Sequence, residues 1–159
     1  MHPDTVPRTG TWLASSLAIL IGVWVVTCPA FGSDVPVQLT PAQSGYLESC
    51  GGCHGILGIA SKKDVPQLRG EVGAFLCTAA GREYIVRLPN VAFANMSDGL
   101  LAEVMNFVVF DLGGTSVPRG ATRYSATEVA ELRRRPLKNA PLAQIRTGIL
   151  ADARLRCGR

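Results

Sequence analysis

Apolar residues are distributed differently at the start of the chain and over the rest of it. Trp12 to Val26 is apolar apart from Ser15 and Ser16. Beyond residue 40, apolar residues fall in segments that begin with helix start signals and end at Gly or Pro. No segment alternates apolar and polar residues over a useful length, so the pattern predicts an all-α fold with much loop.

Two of the helix start signals are clear. Thr40 at the N-cap and Pro41 at the first helical position predict a helix that runs to about Cys50. Ser97 caps a second predicted helix over residues 99–112, whose apolar positions wrap more than one face. We therefore expect this second helix to be largely buried.

The other segments have weaker signals. A third helix is predicted to begin near Ser125, which opens a sequence with capping-box spacing, and to end before Pro136. Residues 142–155 could form a short helix. Residues 55–75 are rich in Gly and predict a loop, and residues 76–87 are ambiguous between a helix and an extended segment.

The first 32 residues have the features of a signal peptide. An uninterrupted apolar run over residues 17–26 is followed by Ala30 and Gly32, which have the spacing that a signal peptidase reads, and Ser33 would begin the mature chain. The rival interpretation is an uncleaved membrane anchor, but the apolar segment is shorter than the roughly 20 residues that span a bilayer. We therefore predict cleavage and export.

Charge divides the mature chain into two parts. Residues 33–118 contain five Lys and Arg against eight Asp and Glu, a net charge of −3. Residues 119–159 contain ten against three, a net charge of +7. We therefore predict an acidic body over 33–118 and a basic extension over 119–159. The extension indicates an anionic partner or lipid surface, with a solubilising tail as the alternative.

One motif carries chemistry. Cys50-Gly51-Gly52-Cys53-His54 is a C-x-x-C-H sequence, which is typical of c-type haem attachment. Two thiols on one turn can add to the two vinyl groups of haem, and His54 then places its imidazole on the iron. Attachment of this kind takes place outside the bacterial cytoplasmic membrane, so it agrees with the predicted export and indicates the periplasm.

Two other interpretations of the cysteines are weighed. A thioredoxin-like C-x-x-C motif would need a preceding strand, and none is predicted. A zinc site would need four ligands, which Cys50, Cys53, Cys77, Cys157 and His54 could supply, although at spacings unlike those of a zinc ribbon. After haem attachment, Cys77 and Cys157 would be left either to pair in an oxidising compartment or to remain separate thiols.

The chain resembles the class I cytochrome c family over roughly residues 41–112. The features that carry the resemblance are Tyr46 four residues before Cys50, the segment His54–Gly58, the P-x-L-x-G segment Pro66–Gly70, and the helix Leu101–Val109 with its aromatic Phe107. The resemblance implies a small helical domain wrapped around one covalent haem c. It also implies that the Pro66 carbonyl accepts the second N–H of His54.

The resemblance further implies a distal methionine ligand before the last helix of the domain. Met96 is the only methionine in that region, although it directly precedes the helix cap at Ser97. Met105 lies within the helix and is the other methionine candidate. A ligand such as Lys62 or Lys63, the N-terminal amine, a partner's side chain or a vacant sixth position is the remaining alternative.

Together these features predict an exported monohaem c-type cytochrome that carries single electrons between periplasmic or membrane redox partners and has no catalytic residues of its own. The alternatives are a dedicated cytochrome subunit of a periplasmic dehydrogenase or reductase, and a haem sensor with an open sixth position. We predict no nucleic-acid partner, and membrane association through the redox partner or the basic extension. Arg133, Arg134, Arg135 and Lys138 are predicted to form a surface cluster that docks an acidic redox partner.

Overall fold

The computed structural model describes residues 38–158, and every regular element in that range is helical. The α-helices are α1 (Pro41–Tyr46), α2 (Gly52–His54), α3 (Ala79–Arg87), α4 (Pro89–Ala92), α5 (Asp98–Asn106), α6 (Ala126–Arg133) and α7 (Leu142–Cys157). Two π-helical segments, Leu47–Gly51 and Phe107–Leu112, extend α1 and α5, and two 3₁₀ segments are Val72–Cys77 and Gly114–Ser116. The prediction of an all-α fold is confirmed for the residues that the structure describes.

The signal peptide predicted over residues 1–32 and the cleavage before Ser33 lie outside the described residues. Within residues 38–158, no helix has the length and apolar character needed to cross a bilayer.

Three of the helices begin where capping side chains in the sequence predict. Thr40 accepts the backbone N–H of Gln43, whose side-chain oxygen in turn accepts the Thr40 N–H, so α1 has a complete capping box. Ser97 and Ser125 cap α5 and α6 through their hydroxyl oxygens. The ambiguous segment 76–87 contains α3, whose first turn is capped by the Thr78 hydroxyl.

Helix α1 packs closely against α5. A Cβ atom on Gly45 would lie only 2.8 Å from a methyl carbon of Val104, so the absence of a side chain allows α1 to approach α5. Beside this point the rings of Tyr46 and Phe107 meet edge to face, with their centroids 5.5 Å apart. Both Tyr46 and Val104 are buried in the core.

The basic extension packs against the body instead of standing apart from it. Helix α6 lies against α5 and α3, and α7 lies against α3 and the segment Val72–Cys77. Leu142, Ile145 and Leu150 contact the core from α7. A disulfide between Cys77 and Cys157, 80 residues apart, ties the end of α7 to the body and settles the question that the sequence leaves open.

Arg82 on α3 provides a polar attachment for the first turn of α6. Its guanidinium donates to both carboxylate oxygens of Glu128, at 2.6 and 2.7 Å, and to the carbonyl of Thr122 at 2.7 Å. The same group lies over the Tyr124 ring, 4.0 Å from its centroid. The hydrogen bond with Glu128 raises the pKa of Arg82, which therefore remains a cation under all ordinary conditions.

Candidate functional site

The three residues of the C-x-x-C-H motif lie in one continuous helical stretch. Cys50 belongs to the π-helical segment that follows α1, whereas Cys53 and His54 belong to α2. Both thiols are free, and Cys53 is exposed while Cys50 is half-buried. Burial and, secondarily, the neighbouring Cys53 raise the pKa of the Cys50 thiol. Two unpaired thiols therefore lie one helical turn apart, next to an imidazole.

The imidazole of His54 is oriented by a backbone carbonyl. Its Nδ1 lies 2.9 Å from the carbonyl oxygen of Pro66. Because a carbonyl oxygen can only accept, Nδ1 carries the proton of the neutral ring, and Nε2 keeps its lone pair. A fixed tautomer with a free Nε2 is what a metal-ligating histidine requires.

A loop of residues 55–70, which we call the His54 loop, carries Pro66 and is held mostly by its own backbone. The carbonyl of Gly58 accepts the N–H groups of both Leu68 and Arg69, each at 3.0 Å. The side-chain amide of Gln67 exchanges two hydrogen bonds of 3.0 Å with the backbone of Ala60. These contacts draw the second half of the loop back towards the motif.

A further hydrogen bond joins the His54 loop to α1. The hydroxyl of Tyr46 donates to the carbonyl of Gly55 at 2.6 Å. Gly55 itself has a φ of +74°, and a Cβ there would lie 2.3 Å from the carbonyl oxygen of Ile59. The turn after His54 therefore requires glycine.

Large apolar side chains next to the motif are exposed. Ile56 is 72% exposed and Ile59 55% exposed, and Leu57 between them is exposed as well. Exposed apolar residues that follow one another around free thiols and a free imidazole nitrogen form a surface suited to a large apolar group. The two thiols, the oriented imidazole and this apolar surface fit the attachment of a haem c.

The two methionine candidates differ in burial. Met105 is 5% exposed within α5 and belongs to the core cluster. Met96 is partly buried and lies in residues 93–97, the Met96 loop, which joins α4 to α5. Met96 therefore lies in a loop at the edge of the core, and Met105 lies within the core.

The Met96 loop is clamped by Arg133, the last residue of α6. The side chain of Arg133 is only 18% exposed. It donates hydrogen bonds to the carbonyls of Ala92 (2.9 Å), Ala94 (2.7 Å) and Met96 (2.9 Å) and to the Asp98 carboxylate (2.9 Å). The prediction that Arg133 is one of the surface docking cations is therefore wrong, because its guanidinium faces the body.

The other members of the predicted basic cluster do lie at the surface. Arg134, Arg135 and Lys138 are exposed. Arg134 pairs with Glu131 one turn earlier, and the Lys138 ammonium lies 5.0 Å from the centre of the exposed Phe93 ring. Lys62 and Lys63, the alternative nitrogen ligands, are exposed in the His54 loop.

The other interpretations of the cysteines lose support. A zinc site built from Cys50, Cys53, Cys77, Cys157 and His54 would need four of these five residues. Because Cys77 and Cys157 are bonded to each other, only three remain. Among the described residues, no three His, Cys, Asp or Glu side chains converge on a metal-sized site. A thioredoxin-like motif would need a strand, and residues 38–158 contain only helices and loops.

Comparison with models of protein families gives no match to the chain, and no curated protein is similar to it in sequence. Its interpretation therefore depends on the residues and their geometry. The contacts of Arg133 with the Met96 loop and of Gln67 with Ala60 were not predicted from the sequence. The C-x-x-C-H motif and the aromatic Tyr46 were singled out there, and the contact of the Pro66 carbonyl with His54 was expected from the resemblance.

Proposed function

We propose that this protein is an exported monohaem c-type cytochrome, similar to the class I family, that carries single electrons between redox partners in the periplasm. The observation that carries the proposal is the pair of free thiols beside an imidazole whose Nδ1 is occupied by the Pro66 carbonyl. Each of these groups has the chemistry that haem c attachment uses, and they lie together on one helical stretch.

In this proposal Cys50 and Cys53 hold the haem through two thioethers, and His54 Nε2 is the proximal ligand. The bound haem supplies a one-electron Fe(III)/Fe(II) couple. Pro66 keeps the proton of His54 on Nδ1, which leaves the lone pair of Nε2 for the iron. The exposed apolar residues Ile56 and Ile59 would cover the macrocycle and exclude water.

Met96 is the proposed distal ligand. It is only partly buried, and Arg133 donates hydrogen bonds to two carbonyls of its loop and to one residue on each side of the loop. A clamped loop favours a permanent thioether ligand over the open sixth position that a haem sensor would need. Failure of the reduced protein to bind carbon monoxide would support Met96 ligation, whereas ready binding would favour the sensor.

The docking proposal now concerns Arg134, Arg135 and Lys138, which are exposed cations on the extension. Such a group can attract an acidic redox partner and speed its encounter. No substrate is transformed by this chain alone in the proposal. If the protein instead belongs to one oxidoreductase, it should co-purify with a catalytic subunit in a fixed ratio.

The proposal is tested by purifying the exported protein and its Cys50→Ala/Cys53→Ala variant from a host that matures c-type cytochromes. Haem staining after a denaturing gel and the spectrum of the alkaline pyridine complex both report covalent haem. We expect a signal from the wild type and none from the variant. Haem that passes from the wild type into acidified organic solvent would contradict the proposal.

A further inference from the structure

We propose that Arg133 is a positioning residue that keeps Met96 on the iron, so that an arginine of the C-terminal extension controls access to the sixth coordination position. This inference rests on the proposed function. The clamp itself belongs to this chain and is tested below with and without haem.

Arg133 binds atoms on every side of Met96. Its acceptors lie on both sides of Met96 and on Met96 itself: the last carbonyl of α4, two carbonyls of the Met96 loop and the carboxylate of the first residue of α5. One guanidinium therefore links the end of one helix, the loop and the start of the next helix. A loop held at both ends and at its centre has little freedom to move its methionine.

The guanidinium of Arg133 is largely buried. The Arg133 side chain is 18% exposed, and the facing Asp98 is 44% exposed. Hydrogen bonds from a largely buried cation are stronger than those of a surface pair. Losing the cation would take this donor from the carbonyls of Ala92, Ala94 and Met96, of which Ala94 would keep the N–H of Met96. Water could replace some of these bonds only if the loop opened.

The planar shape of the Arg133 guanidinium suits this set of acceptors. Arginine presents five N–H donors in a rigid plane, and here Nε, Nη1 and Nη2 each reach a different carbonyl. A lysine at this position would keep the charge but could not span the three carbonyls. The contact therefore requires arginine in particular. If only a positive charge were needed, lysine would serve equally well.

Helix α6, which carries Arg133, is itself held against α3 and the core. Arg82 and Glu128 attach the first turn of α6 to α3, and Val129 and Leu132 are buried in the core. Arg133 thus extends from a fixed helix. Arg133 pairs with Asp98. The neighbouring Arg134 pairs with Glu131 instead.

The test uses imidazole, which competes with Met96 for ferric haem, in the full-length holoprotein. Arg133→Ala should bind imidazole at least tenfold more tightly than the wild type, and should weaken the far-red absorption band that a methionine–iron bond gives. Arg133→Lys should lie in between. Arg134→Ala is the matched control from the adjacent residue and should behave as wild type.

A double-mutant cycle with Met96→Ala isolates the role of the methionine. If Arg133 acts by holding Met96, then Arg133→Ala should change imidazole affinity less than twofold in the Met96→Ala background. An equal increase in both backgrounds would overturn the proposal, because Arg133 would then support the haem crevice in general. Asp98→Asn serves as a milder variant if Arg133→Ala does not fold, and it should increase imidazole affinity in the Met96 background only.

Hydrogen exchange separates failure of this inference from failure of the proposed function. Covalent haem in every variant would support the cytochrome proposal. Imidazole affinity would then test the role of Arg133 separately. Without haem in the wild type, the cytochrome proposal fails, yet the clamp still predicts that amides of residues 92–98 exchange at least tenfold faster in Arg133→Ala than in Arg134→Ala. Equal exchange in the two variants would overturn the clamp.

Discussion

The two loops that bear on the candidate haem site are held by different kinds of contact. The His54 loop is closed mainly by contacts within itself, from Gly58, Gln67 and the Pro66 carbonyl. The Met96 loop depends on one side chain, Arg133, which is 35 to 41 residues away from the residues it binds. In the proposed cytochrome, the proximal side would therefore be built locally and the distal side by the extension.

The two loops should therefore respond to different substitutions. Disruption of the His54 loop should come mainly from changes within the loop, because most of its hydrogen bonds are short in sequence separation, the bond from the Gly70 N–H to the Leu112 carbonyl being the exception. The Met96 loop should respond to any change that moves α6, even one remote from Met96. In the proposed cytochrome, the proximal ligand would be constant and the distal ligand conditional.

The largest expected effect comes from the disulfide that fastens α7. Cys77→Ser/Cys157→Ser opens a cross-link of 80 residues, and the chain-entropy model predicts a loss of about 4 kcal/mol in the free energy of unfolding. Denaturant unfolding of the variant and wild type measures this loss. Because Arg82 and the core contacts of α6 remain, the far-red band of the folded holoprotein should not change. Loss of that band would show that the Met96 loop also depends on α7.

Gly55→Ala should be the next largest and should affect the proximal side. The positive φ of Gly55 and the close approach of the Ile59 carbonyl predict a loss of about 3 kcal/mol in unfolding free energy. Gly70→Ala is the matched control, because Gly70 also has a positive φ but an added Cβ would meet nothing within 4 Å. It should cost only about 1 kcal/mol. Equal losses in the two variants would contradict the account of the Gly55 turn.

Arg82→Met tests whether the anchoring of α6 reaches the Met96 loop. Loss of the paired hydrogen bonds to Glu128 should lower the unfolding free energy by about 2 kcal/mol. It should also speed hydrogen exchange of residues 93–97 more than that of residues 55–70. Arg134→Ala, which removes only an exposed pair, should change stability by less than about 0.5 kcal/mol. Equal exchange in both loops would mean that α6 is not specific to the distal side.

The smallest effect on stability is expected for the exposed cations. Arg134→Glu/Arg135→Glu should leave the unfolding free energy within about 0.5 kcal/mol of wild type, because both side chains are exposed. If they dock an acidic partner, the association rate at low salt should fall about tenfold. Stopped-flow electron transfer at several salt concentrations measures this rate. A wild-type rate that does not depend on salt would remove the docking role.

Local features of the fold were predictable from the sequence. Thr40, Ser97 and Ser125 mark helix starts because a capping side chain bonds to a backbone amide within its own turn. The end of α7 was placed two residues early, at Leu155 instead of Cys157. The short α4 was not predicted, because Pro89 is a weak start signal without a capping side chain.

The site was predictable on one side only. Pro66 could be assigned to His54 because the resemblance supplied that pairing. Arg133 lies in a run of three arginines that look alike in the sequence, and only the packing of α6 on α5 turns the first of them inward. The pairing of Cys77 with Cys157 likewise depends on where α7 folds back, which local sequence does not determine.

The most direct test of the central claim is the intact mass of the purified exported protein under denaturing conditions. The account predicts the mass of the mature chain plus one haem for the wild type, and the mature chain alone for Cys50→Ala/Cys53→Ala. A wild-type mass without haem, obtained from a host that attaches haem to a control c-type cytochrome, would contradict it.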